Sequence, residues 1–263
     1  MKFYTSDQIE LDYDDFGAKS DPVVMILSGI GAYKEYWKKT IAALVENHYR
    51  VINIDARNQG KSEHTNQGLR ISRHAMDLYE LQQKLEITDP ILMGNSMGAS
   101  TIFAYVSLFG SSQLRGIIDV DQSPKMINDE TWQYGFKDIT WDDFHFALAQ
   151  PFGKATHCNI DDQIFKQIQQ LKADFPYDAE LNFPFLIDHA TQDWRSVIVH
   201  LDCPLLIVSG ADSPYFNPKF ANLCETLSSQ VTATSVENAG HLVMVEQSAV
   251  FNEEMLQWLQ KIG

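Results

Sequence analysis

Gly94-Asn95-Ser96-Met97-Gly98 sets a serine between two glycines, each two residues away, directly after the apolar run Ile91-Leu92-Met93. A helix-compatible run, 99–109, follows it. Strand, sharp turn and helix in that order present a serine as a nucleophile at the C-terminal edge of a parallel sheet. Gly94 and Gly98 then answer a need for space, because so tight a turn brings the backbone at both positions against its neighbours. A serine hydroxyl is a weak nucleophile at neutral pH. It needs a base within hydrogen-bond reach, an acid to orient that base, and donors for the oxyanion that forms. Among the eight histidines, His241 is the best placed base, since Asn238-Ala239-Gly240-His241 is a short loop directly after an apolar strand pattern. His48, His64, His74, His145, His157, His189 and His200 fall in expected helices, surface loops or an insertion, and read as solvated or structural.

The elements that must position these residues follow from periodicity. Residues 2–16 alternate polar and apolar, as in a strand or hairpin at a sheet edge. Val23–Leu27 is a continuous apolar run, the pattern of a strand buried on both faces, and 50–54, 91–93, 116–121 and 205–209 read as further strands. Helical spacing fills 37–46, 72–85, 99–109, 218–227 and 247–262, and Val231–Val236 adds a further strand. The alternation of strand and helix predicts a doubly wound α/β fold with a mostly parallel central sheet flanked by helices. The rhythm breaks over 123–199, which is polar, helical in its periodicity and dense in aromatics such as Trp132, Phe136 and Phe152. We read it as a helical cap over the sheet edge where open α/β folds bind ligands. The expected division is a core of 1–124 and 198–263 with a cap of 125–197. Aromatics at helical spacing most often form a cap's own core, so none is assigned to the site.

Composition narrows the partners. Lys and Arg number 20 against 35 Asp and Glu, and the formal net charge of −15 disfavours nucleic acid and anionic membrane surfaces. A small, neutral or cationic substrate fits better. Cys158, Cys203 and Cys224 are odd in number and lack metal or redox spacing, which reads as reduced thiols in a cytoplasmic protein. The start of the chain has no apolar stretch of signal-peptide length, and no run is long enough to cross a bilayer. A homodimer is compatible with the sequence, which does not specify the oligomeric state.

Taken together, the ordered motifs resemble the α/β-hydrolase superfamily along essentially the whole chain, in its serine-nucleophile, esterase-like branch. Ser28-Gly29-Ile30-Gly31 with Trp37 resembles the family's oxyanion loop, with Ser28 in place of the usual histidine. The stretch from Asp55 through Arg57, Asn58 and Gly60 to Ser62 resembles its D-x-R-G-x-G-x-S loop, with Asn58 where glycine is usual, and we assign that loop a supporting role only. Gly94 to Gly98 matches the nucleophile elbow, and Gly240-His241 with Glu246 matches the histidine loop.

The resemblance implies Ser96 as nucleophile, His241 as base, and the backbone N–H groups of Ile30 and Met97 as the oxyanion hole. It leaves two positions for the acid. Most members carry it after the 205–209 strand, three residues beyond a glycine, where this chain has Ser213 and, one residue early, Asp212. A minority carries it one strand earlier in a D-x-x-P turn, here Asp121-Gln122-Ser123-Pro124. Asp121 is taken as the acid and Asp212 as the alternative, while Asp119 shares the strand face of Asp121 but lies deeper. The expectation is a serine hydrolase acting on a carboxylic ester or related acyl substrate through a Ser-His-Asp triad, with no metal or organic cofactor. The alternatives are lactone, C–C bond, perhydrolytic or cofactor-free oxygenase chemistry on the same fold, or a ligand-sensing protein with little turnover.

Overall fold

The computed structural model describes residues 1–263. Its centre is one eight-stranded sheet, built from β1 (Lys2–Tyr4), β2 (Glu10–Phe16), β3 (Val23–Leu27), β4 (Arg50–Asp55), β5 (Ile91–Asn95), β6 (Gly116–Val120), β7 (Leu205–Gly210) and β8 (Val231–Val236), in the order β1-β2-β4-β3-β5-β6-β7-β8. β2 runs antiparallel to both β1 and β4, and every other neighbouring pair is parallel. The expected inner strands are buried at every residue: β3, β4, β5, β6 and β7 are closed on both faces. β8, at the edge, is buried only at its two ends, in keeping with its polar alternation.

Helices cover both faces. In chain order they are α1 (Lys38–Glu46), α2 (Ile71–Lys84), α3 (Met97–Phe109), α4 (Phe144–Leu148), α5 (Asp162–Asp174), α6 (Ala179–Ala190), α7 (Arg195–Val199), α8 (Lys219–Leu227), α9 (Val243–Glu246) and α10 (Ser248–Ile262). A single 3-10 turn, Lys34–Trp37, precedes α1. Two apolar clusters sandwich the sheet. One joins Leu78, Leu81, Ile102 and Phe103 to β-strand residues such as Ile52 and Leu92, and the other joins Trp37, Leu44, Phe251 and Met255 to Ile26, Met93 and Val208. No helix is long and apolar enough to cross a membrane.

The segment between β6 and β7 corrects one expectation. It holds α4, α5, α6 and α7, but 125–143 is irregular rather than helical. Side chains there outcompete the helical backbone. Asp129 accepts from the Thr131 N–H at 2.9 Å, Asn128 from Gly135 N–H at 2.9 Å, and Asp143 from Thr140 N–H at 2.7 Å. The aromatics divide accordingly. Trp132 and Phe136 are buried, whereas Trp141 and Phe146 are exposed. The two longest helices of the segment start where a carboxylate caps them, Asp161 on α5 and Asp178 on α6.

Candidate active site

β5 ends at Asn95 and α3 begins at Met97, so Ser96 alone makes the turn, and its backbone is held at φ 55°, ψ −130°. A non-glycine residue there is strained, and such strain persists only where the surroundings enforce it. They do so through close packing. A Cβ on Gly94 would lie 2.4 Å from Ala99 N, and one on Gly98 2.4 Å from Leu27 O, both backbone atoms. Asn95 completes the clamp from the end of its buried strand, its amide donating to the carbonyls of Val120 (2.9 Å) and His241 (3.0 Å). That brace ties the serine turn to the histidine loop, and periodicity gives no sign of it.

β6 ends one strand over, and Asp121 follows it, buried and at φ 54°. Asp121 Oδ2 lies 2.7 Å from His241 Nδ1 and accepts from the Ser213 hydroxyl at 2.6 Å, while Oδ1 accepts from the Gly210 N–H at 3.0 Å. Ser213 stands at the position where the family usually carries its acid, and here it serves the carboxylate supplied by the neighbouring strand. The same hydroxyl accepts from the N–H groups of Tyr215 and Phe216 at 3.3 Å each. Their rings lie 4.7 and 5.9 Å from the His241 ring, centroid to centroid. Asp212 points elsewhere: its side chain is 42% exposed and its ionic neighbour is His157, at 4.0 Å. Asp119 is fully buried, and burial, with Asp121 close by, pushes its carboxyl well above the ordinary carboxylate range. Ser96 Oγ makes no hydrogen bond to the imidazole, whose ring bonds only to Asp121.

Glu246 secures the histidine loop. Its carboxylate accepts four backbone N–H groups, from His157 (2.7 Å), Cys158 (2.8 Å), Gly240 (3.1 Å) and Leu242 (3.2 Å). The His241 N–H in turn donates to Ala155 O at 2.9 Å, so the segment around 155–158 is stitched to the imidazole's own loop.

The early loop lies over the serine. A Cβ on Gly29 would stand 2.8 Å from Ser96 Cβ. Ser28 Oγ accepts from the buried Trp37 indole at 3.1 Å, and Gly31 N–H donates to Gln59 Oε1 at 2.5 Å. The backbone N–H groups of Ile30 and Met97 have no acceptor in the protein, and both residues line the same cavity as Ser96 and His241. Asn58 sits at φ 64°, a conformation asparagine tolerates, and its side chain both donates to and accepts from the Thr65 backbone. Asp55 takes N–H bonds from Lys34 (3.1 Å) and Lys61 (3.0 Å), and its burial pushes the carboxyl up to about 7. These contacts shape the loop and stay clear of the cavity.

The cavity measures about 420 Å³. Met97, Met126, Phe136, Phe152, Leu186 and Tyr215 give it an apolar lining, which residues of α5 and of the 153–160 segment complete. Phe136 and Phe152, left unassigned on sequence grounds, therefore face the candidate site. The volume suits a small organic molecule. No three or more His, Cys, Asp or Glu side chains converge on a common point.

Comparison with known proteins identifies the fold family. A protein of Synechocystis sp. is 33% identical over 217 residues, 77% of each chain. The non-heme chloroperoxidase of Streptomyces lividans is 23% identical over 280 residues, covering 97% of this chain and 98% of that one. Among solved structures, an esterase from Exiguobacterium antarcticum superposes with a TM-score of 0.86 at 20% identity, over 98% of both chains. The family model described as the alpha/beta hydrolase fold matches residues 22–248. On the strength of that match, of the sheet order and of the serine turn at its centre, this chain belongs to the α/β-hydrolase fold family.

Proposed function

We propose that the protein is a serine hydrolase acting on carboxylic esters or closely related acyl substrates. Ser96 Oγ attacks the acyl carbon and passes its proton to His241 Nε2, while Asp121 holds Nδ1–H and so fixes the tautomer in which Nε2 is free to accept. The oxyanion forms between the N–H groups of Ile30 and Met97. Collapse expels the alcohol, protonated by His241, and leaves an acyl group on Ser96. Water, activated by the same imidazole, then releases the acid and restores the serine. Residues 125–197 act in this reading as a cap that shapes the substrate cavity, over a core of 1–124 and 198–263.

The observation that carries the reading is the 2.7 Å bond between His241 Nδ1 and Asp121, set beside a strained serine that opens on the same cavity. The likeness to the Exiguobacterium antarcticum esterase supports it at the level of fold. The test is incubation with p-nitrophenyl acetate or butyrate and with a fluorophosphonate probe. Turnover and labelling, both lost in Ser96→Ala, are expected. Neither in the wild-type protein would overturn the reading.

The relationship to the Streptomyces lividans chloroperoxidase favours a second reading of the same site. Hydrogen peroxide, taking the place of water, would attack the acyl group on Ser96, yielding a peracid and the free serine. The peracid would then oxidise halide and return to the carboxylic acid. Halide oxidation that needs both a carboxylate and peroxide, and is lost in Ser96→Ala, is the result that supports it.

A further inference from the structure

The buried polar side chains that meet His241 are engaged: Asp121 bonds to its ring, and the Asn95 amide donates to its carbonyl, although Asn95 Oδ1 is left without a donor. His189, on α6, is different. It is 3% exposed and lines the cavity beside Leu186 from its own helix, with Met126 and Phe136 on the same apolar surface. Its Nδ1 is sealed in protein without a partner, and Nε2, the ring nitrogen that is not sealed, makes no hydrogen bond within the protein either. His74 provides the contrast. It stacks on Phe185 at 4.0 Å, both its ring nitrogens are enclosed without partners, and it does not reach the cavity. His74 is a core histidine; His189 is a polar group offered to whatever fills the cavity.

Its chemistry can be narrowed. A buried N–H without an acceptor is rarer in proteins than an under-satisfied acceptor. The proton therefore belongs on Nε2, with the bare lone pair on the sealed Nδ1, and the group facing the cavity is a donor. Burial also holds the imidazole down at about 4, so at neutral pH it is an uncharged donor. A carboxylate against this uncharged ring would lose hydration and gain no countercharge from the imidazole. A neutral acceptor oxygen would gain a hydrogen bond at a nitrogen that otherwise has none.

We propose that His189 is a specificity-determining residue, whose Nε2–H recognises a neutral acceptor oxygen, a carbonyl or ether, on the non-reacting part of an ester substrate. The preferred substrates are accordingly oxo- or alkoxy-substituted esters rather than plain alkyl esters. Sites with a buried polar group discriminate strongly against analogues that leave it unpaired. The kinetic part of this inference rests on the ester-hydrolase reading of Ser96; the binding part does not.

The experiment compares matched esters that differ only by the extra oxygen: p-nitrophenyl 4-oxopentanoate against the pentanoate, and 3-oxobutyl butanoate against butyl butanoate. In the wild-type protein kcat/KM should favour the oxo ester by about tenfold or more in at least one pair. His189→Leu should bring that ratio to about one, with the larger loss on the oxo member, and His189→Gln should restore part of it. In parallel, calorimetry on Ser96→Ala, with and without His189→Leu, reads the Kd of the same four compounds. Tighter binding of the oxo member, abolished by His189→Leu, is expected. Equal handling of both members by the wild-type protein, in rate and in Kd, overturns the proposal, and so does an equal loss for both in His189→Leu. If His189→Leu does not fold, the wild-type ratio and Kd difference decide alone. Absence of turnover on every ester would refute the hydrolase reading, and the Kd comparison would still decide the role of His189.

Discussion

Asp121→Asn is the substitution that separates an orienting carboxylate from a merely structural one. Asparagine is nearly isosteric and tolerates the φ of 54° that the backbone adopts here, so the turn after β6 should survive. The hydrogen bonds decide the rest. Oδ1 of Asp121 receives the Gly210 N–H at 3.0 Å, and Oδ2 receives Ser213 and faces His241 Nδ1. If the new amide placed its NH2 against Gly210, two donors would meet, leaving buried groups unpaired at a cost of about 1–3 kcal/mol. The favoured orientation therefore keeps the oxygen on Gly210 and turns the NH2 toward His241. Nδ1 must then accept, the ring proton moves to Nε2, and the nitrogen that takes the Ser96 proton in the proposed mechanism can no longer do so. Loss of the productive tautomer lowers kcat by about 10³- to 10⁴-fold in triads of this kind, or about 4–5.5 kcal/mol of barrier. The assay is kcat and kcat/KM on p-nitrophenyl butyrate, with the thermal midpoint as a control for folding. Asp212→Asn, at an exposed carboxylate whose ionic neighbour is His157, should stay within about twofold of wild type, as surface substitutions generally do. A stably folded Asp121→Asn with normal kcat, or an inactive Asp212→Asn, would refute the assignment.

Three further outcomes follow from the geometry. In the Asp121→Asn background, Ser213→Asp introduces a carboxylate at a side chain 2.6 Å from the old one, and should recover about tenfold or more in kcat, roughly one charge-assisted hydrogen bond's worth; no recovery means the two positions cannot both reach His241. Gly94→Ala should lower stability by about 3 kcal/mol or more in denaturant titration, because the new Cβ meets the backbone of Ala99 and Gly98 at 2.4 Å; an unchanged midpoint would show that the turn can relax. Burial raises the Asp7 carboxyl, but a bidentate pair with the buried Arg57 outweighs it and holds it down at about 2. A lowered carboxylate pKa stabilises the fold above the unfolded value of 3.8, and that stability fades as pH falls through about 2. Asp7→Asn should then be about 1–2 kcal/mol less stable at pH 7, after allowance for partial exposure, with the gap to wild type closing between about pH 4 and pH 2; a gap independent of pH would contradict the ion-pair explanation.

Much of the fold could be read directly because its inner strands are buried on both faces and so are mostly apolar, unbroken in Val23–Leu27 and interrupted by Asn53 in β4 and Asp119 in β6. The serine turn was legible for a related reason: the strain at Ser96 demands small neighbours, and small neighbours are visible as Gly94 and Gly98. The choice between Asp121 and Asp212 was not settled by spacing, since both follow strands at the same sheet edge. Only the packing brings Asp121 to His241 while Asp212 turns toward solvent. Residues 125–143 misled because their apolar spacing is compatible with a helix, whereas Asn128, Asp129 and Asp143 bind nearby backbone and favour turns. Glu246 shows in the sequence as part of the histidine-loop motif, but its bonds to the distant 157–158 backbone do not, and the contacts of Asn95 and His189 leave no readable pattern. Each acts across a long separation in the chain, as when Glu246 binds the backbone at 157 and 158, and nothing local marks such a partner.

The central claim is that Ser96 carries the acyl group. Mass spectrometry of the protein, acid-quenched during turnover of p-nitrophenyl butyrate and digested, should find the butyryl adduct on the peptide containing Ser96. That adduct should be absent from Ser96→Ala, which should also be inactive. Turnover with the adduct on another residue, or full activity in Ser96→Ala, would contradict the account.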